Sequence, residues 1–140
     1  MKCESLLPER EAERTEAELD LVVPFTTPAL TRAAIQAAEQ LGGGLEASIR
    51  LVKLQLVPYQ VEESPIDIGF LQQQLAAYSS KLPIQALILL TREVEAELMH
   101  LLRPESIVVL ATQKSLFPTR TEWLARKVRQ AGYRVVVVHA

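Results

Sequence analysis

From Leu19 onward, short β-branched runs alternate with longer stretches of helical periodicity, five of the first kind and four of the second. Parallel strands need a crossover of a dozen or more residues between them, and that crossover is usually a helix, so strict alternation points to a parallel sheet. LDLVVPF predicts a first strand. Thr27 followed by Pro28 predicts a capped helix start, with Leu30, Ala34, Ala37 and Leu41 at helical spacing and three glycines at 42–44 closing it. EASIRLVKLQLVP predicts a second strand, whose Arg50, Lys53 and Gln55 imply a wetter face or a place near the sheet edge.

Ser64, Pro65 and Asp67 resemble a capping box for a second helix carrying Ile68, Leu71, Leu75, Tyr78 and Leu82 as one apolar stripe. ALILL is the third strand, and EVEAELMHLL the third helix, packing through Val94, Leu98 and Leu101 and stopped by Pro104. SIVVLA is apolar enough to be a fourth strand buried on both faces. Thr119 with Glu122 is another capping box, opening the helix TEWLARKVRQA, and Gly132 stands where a C′ glycine belongs. RVVVVHA is the fifth strand. Right-handed crossovers then give an open, doubly wound α/β fold: a five-stranded parallel sheet with helices on both faces, Rossmann-like, in one domain over residues 19–140.

Residues 1–18 stand apart. They hold six Glu against Lys2, Arg10 and Arg14, whereas the whole 140-residue chain has a formal charge of only −2. An acidic, solvating tail, partly disordered or helical, is expected there. Cys3 lies in it and is the only cysteine, which excludes an intrachain disulfide or a CxxC metal site and fits a reducing cytoplasm. Neither a signal-peptide pattern nor an apolar run of about 20 residues occurs, so no membrane insertion is expected.

Several chemistries drop out on residue type. Glu93, Glu95 and Glu97 point in different directions on a helix and make a charged surface, not a metal cage or an acid/base pair. Arg126, Lys127 and Arg129 complement a helix carboxyl end, with no aromatics placed for base stacking, so no nucleic acid is expected. His100 lies in a helix, and a triad of Ser115, His139 and a carboxylate lacks a nucleophile elbow. Thr91, Arg92 and Glu93 follow the third strand where a receiver domain would need its phosphorylated Asp, and a Walker loop and GxGxxG are missing too.

LDLVVPFTTPALTRAAIQAAEQLGGGLEASIRLVKLQLVP, together with SIVVLAT and the terminal VVVVHA, resembles the universal stress protein family, of the adenine nucleotide α-hydrolase-like group, over residues 19–140. Nucleotide-binding members carry an acidic residue after the first strand and a Gly-x2-Gly-x9-Gly-Ser/Thr signature after the fourth. Here the first turn is Pro24, Phe25, Thr26 and Thr27, and ATQKSLFPTRTEWLARKV has no glycine. Each missing glycine removes a place where backbone amides can approach a phosphate closely, so no cofactor is expected and ATP is disfavoured.

In the fold that this resemblance implies, the ligand crevice lies outside the carboxyl ends of strands one and four. Its rim would be Pro24, Phe25, Thr26 and Thr27 facing Thr112, Gln113, Lys114 and Ser115, with the helix start at Thr119, Arg120 and Thr121 as an anion receptor. Many family members dimerise through the last strand, which implies a homodimer using Arg134, Val135, Val136, Val137, Val138 and His139, and reaching Ala140. The expected function is a non-catalytic module of the stress response that dimerises and binds a protein partner or a small anionic ligand. Two alternatives stay open: an ATP- or AMP-binding protein with slow hydrolysis through a glycine-free loop, and a regulatory domain beside a transporter or sensor.

Overall fold

The computed structural model describes residues 19–56, 68–114 and 119–140. In chain order the elements are β1 (Leu19–Pro24), α1 (Pro28–Gly42), β2 (Ala47–Leu56), α2 (Ile68–Ala76), β3 (Ile84–Thr91), α3 (Val94–Leu101), β4 (Ile107–Thr112), α4 (Arg120–Gln130) and β5 (Arg134–His139). All strand pairs are parallel, and the sheet order is β3-β2-β1-β4-β5. The chain therefore winds outward from β1 to one edge and returns past β1 to build the other, the doubly wound plan that the alternation predicted.

Two apolar layers sandwich the sheet, because successive strand side chains point to opposite faces. Leu21, Val23, Ile49, Leu51 and Val109 pack under Ala34, Ile35 and Ala38 of α1 and Leu75 of α2. Val22, Val52, Val108 and Leu110 pack under Leu98 of α3 and Ala125 and Val128 of α4. β4 is buried along nearly its whole length, as its apolar run requires.

The punctuation follows the sequence closely. The Thr27 hydroxyl accepts from the Leu30 amide at 3.3 Å and Pro28 opens α1. The Thr119 hydroxyl accepts from the Glu122 amide at 3.2 Å, and Gly132 takes φ +96° just beyond α4, a left-handed conformation that favours glycine.

Two expectations are corrected. Arg50 does not face a wet surface: β2 lies inside the sheet, and Arg50 is 8% exposed because Asp20 on β1 and the end of α3 enclose it. α2 ends at Ala76, so Tyr78 and Leu82 reach the same core layer from the connection to β3 and not as part of the helix. Ser64, Pro65 and Asp67 lie outside the described residues, as do the acidic segment 1–18 and Ser115.

Candidate functional site at the carboxyl ends of β1 and β4

The order of strands reverses between β1 and β4, and these two are paired only at Leu21–Ile107 and Val22–Val108. Pro24 ends β1 without an amide to donate, while β4 continues to Thr112 against β5. The carboxyl ends of β1 and β4 thus form an unpaired step at the topological switch point, with predicted rim residues on either side of it.

On the β1 side the backbone of Thr26 and the hydroxyl of Thr27 are both engaged by α1. Thr26 donates its amide to the buried Thr31 hydroxyl at 3.0 Å, and Thr27 caps α1. Phe25 donates its amide to the Val52 carbonyl at 2.7 Å, which extends the β1–β2 ladder by one residue. Its ring meets Tyr78 edge-on, with centroids 5.9 Å apart and planes at 79°. Lys53 Nζ lies 4.7 Å from the Phe25 ring centre, and the Arg32 guanidinium 5.8 Å from that of Tyr78. Two cations over an aromatic pair therefore flank the step. Residue spacing concealed this cluster, since its four members come from α1, β2 and two connections.

On the β4 side Thr112 is buried and its hydroxyl lies 3.0 Å from that of Thr119, a hydrogen bond that closes the connection between β4 and α4 at its base. Gln113 and Lys114 are exposed at the start of that connection, and Arg120 is exposed after it, while Thr121, in the first turn of α4, is buried. Among the described residues, neither Lys114 nor Arg120 forms an ion pair. The rim thus has the Thr27, Thr112 and Thr119 hydroxyls held in hydrogen bonds, and two cations without an ion pair among the described residues beside a helix amino end.

His139 stands beside Thr112 across the β4–β5 ladder and is exposed. Among the described residues no group of three His, Cys, Asp or Glu side chains could hold a metal ion. The most deeply buried polar cluster, Asp20, Arg50 and Ser106, lies at the opposite end of the sheet, near the amino ends of β1 and β4. A cavity of about 300 Å³ opens beside it between Asp20, Arg50, Gln85 and Arg103. Because Asp20 already neutralises Arg50, the buried cluster acts as a structural tie.

No family model matches the sequence, and no curated protein is significantly similar to it. Solved structures do match the fold. The universal stress protein UspA from Lactobacillus plantarum superposes with a TM-score of 0.54 at 16% identity, over 86% of this chain and 97% of that one. A universal stress protein crystallised in complex with cAMP superposes with a TM-score of 0.51 at 14% identity, again over 86% and 97%. The five-stranded parallel sheet with helices on both faces is therefore the fold of the universal stress proteins.

Proposed function

We propose that this chain is a divergent member of the universal stress protein family, a non-catalytic module of the stress response that works as a homodimer and takes a small anion at the β1/β4 step. The observation that carries this proposal is the position of β5. Among the described residues it is an edge strand bonded to β4 alone, and Val135, Val136, Val137 and Val138 along it are each half-buried. An apolar edge with open backbone groups templates pairing with another strand, and a two-fold mate satisfies both edges at once. Anion binding is supported by Lys114 and Arg120 at the rim. A cytoplasmic location belongs to the same proposal; no described helix is long and apolar enough to cross a membrane.

Sedimentation equilibrium of the wild type against Val136→Lys tests the dimer. Dimer at micromolar concentration that dissociates in the variant, with the fold intact by circular dichroism, is the expected result. A monomeric wild type overturns the proposal.

A second reading is favoured by one observation: a universal stress protein of the same fold was crystallised in complex with cAMP. It makes the step a nucleotide site that works without glycines. Thermal melting with phosphate, AMP, ATP and cAMP separates the two, since a ligand at about 100 times its dissociation constant adds about 2.7 kcal/mol. A rise with nucleotides only, lost in Lys114→Ala, selects the nucleotide site; a rise with phosphate as well selects a general anion site.

A further inference from the structure

A second polar site lies at the amino ends of the strands, across the sheet from the β1/β4 step. The parallel register sets Asp20 beside Ser48 and Arg50 beside Gln85. All four project from the sheet face that α3 and α4 cover, since they alternate in phase with Val22, Val52 and Leu87. α3 ends at Leu101, whose carbonyl Arg50 meets at 3.1 Å, and it leaves Ser48 half-buried and Gln85 exposed. The cavity of about 300 Å³ occupies this gap, and Arg103, from the turn after α3, also lines it. That turn is fixed, because the Arg103 amide donates to the Ser106 hydroxyl at 2.9 Å and the same hydroxyl is bonded to Asp20.

The lining has an excess of donors and of positive charge. Asp20 cancels Arg50, so Arg103 leaves the cavity with one net positive charge. The Arg103 guanidinium has no ion pair and no hydrogen bond among the described residues, and the side chains of Ser48 and Gln85 have no hydrogen bond there either. Pro83 and Ile84 supply an apolar wall, and a wall of low dielectric beside a cation focuses its field into the cavity. At about 300 Å³ the space stands at the small end of the range of ligand pockets.

We propose that this cavity binds a small hydroxylated oxyanion, a carboxylate or phosphate monoester on a short carbon chain. Arg103 takes the charged group with its planar fork, which matches two oxygens of a carboxylate or a phosphate at once. Ser48 and Gln85 hydrogen-bond the ligand's hydroxyl, and the carbon chain lies against Pro83 and Ile84. The buried Asp20–Arg50 pair is the floor that holds these groups in place. This site is independent of the anion proposed at the β1/β4 step, and each stands or falls without the other.

Nuclear magnetic resonance titration of the isotope-labelled full chain tests it, with lactate, glycerol 3-phosphate and inorganic phosphate as probes and sodium chloride at matched ionic strength as the control. Saturable movement of the Ser48, Gln85 and Arg103 amide signals with any one probe is the expected result, and the probe that saturates says whether the group is a carboxylate or a phosphate. Arg103→Ala should then weaken the dissociation constant about tenfold or more, the loss of a charged hydrogen-bonding partner. Gln85→Ala, at an exposed strand edge, decides in its place if Arg103→Ala is unfolded by circular dichroism. An unchanged dissociation constant in the deciding variant overturns the proposal. Signals that move only at Gln113, Lys114 or Arg120 belong to the β1/β4 step and overturn it as well, as do shifts that sodium chloride reproduces.

Discussion

Asp20 and Arg50, thirty positions apart in the chain, form a two-pronged ion pair beneath α3: Arg50 Nε lies 2.9 Å from Asp20 Oδ1 and Nη2 lies 2.6 Å from Oδ2. Both residues are buried. The remaining valences are also used, since Arg50 Nη1 donates to the carbonyl of Leu101, the last residue of α3, at 3.1 Å. The Ser106 hydroxyl donates to Asp20 Oδ2 at 2.5 Å and accepts from the Arg103 amide at 2.9 Å. One cluster thereby ties β1, β2, the end of α3 and the turn before β4. Truncating one partner strands a buried charge, so Arg50→Met or Asp20→Ala should each lose about 3–5 kcal/mol in urea unfolding. Asp20→Leu combined with Arg50→Met should recover most of that loss, because the apolar pair leaves no charge behind.

Glu39 supplies a pH dependence on the other face. Its Oε2 accepts from the Lys81 amide at 2.7 Å and from the Ser80 hydroxyl at 2.8 Å, and these bonds hold its carboxyl below the usual carboxylate range. A depressed folded-state pKa contributes stability that is present above the unfolded value, about 4.3, and is lost as pH falls through the folded one. Glu39→Gln should therefore lower Tm at pH 7 and narrow its difference from wild type below about pH 4. An equal difference at both pH values would sink this assignment.

Thr119 has two duties, capping α4 and bonding Thr112. Thr119→Ala should cost about 1–2 kcal/mol, more than an isolated cap at the low end of the range, and Thr119→Ser should keep most of it. Chemical denaturation of the three proteins decides between a cap alone and a cap with a tie.

Gly42 closes α1 where a Cβ would come 2.8 Å from both Ala47 Cβ and Leu82 Cδ1. Leu82 can rotate but Ala47 cannot. Gly42→Ala should destabilise by about 1–3 kcal/mol through overpacking despite the better helix propensity of alanine. An unchanged or raised urea midpoint would show that the turn gives way.

Much of the architecture was legible in local chemistry. Hydroxyls at Thr27 and Thr119, glycines at the ends of α1 and α4, and the apolar runs of β1 and β4 each act within a few residues, so their spacing in the chain carries their meaning. The position in the fold of the residues proposed as a rim was legible for the same reason. Pro24 and Thr112 end β1 and β4, the residues up to Thr27 and Lys114 follow directly, and the sheet order sets them on either side of the β1/β4 step.

The partnerships across the sheet were not legible. Arg50 in isolation looks like a wet residue in a strand, and Asp20 like a polar start; only the parallel register, which sets Asp20 against Ser48, brings the two charges onto one face within bonding distance. Lys53, Phe25, Arg32 and Tyr78 meet for the same reason. Arg126, Lys127 and Arg129 form one run in the chain, yet the helix turns Lys127 onto Trp123 and the other two toward β5. Elements, caps and parallel alternation could be read from the chain because they depend on neighbours three or four residues away. Which charges are neutralised and which stay available could not, because a side chain's partner depends on strand register and helix rotation, and these are settled only when the layers pack.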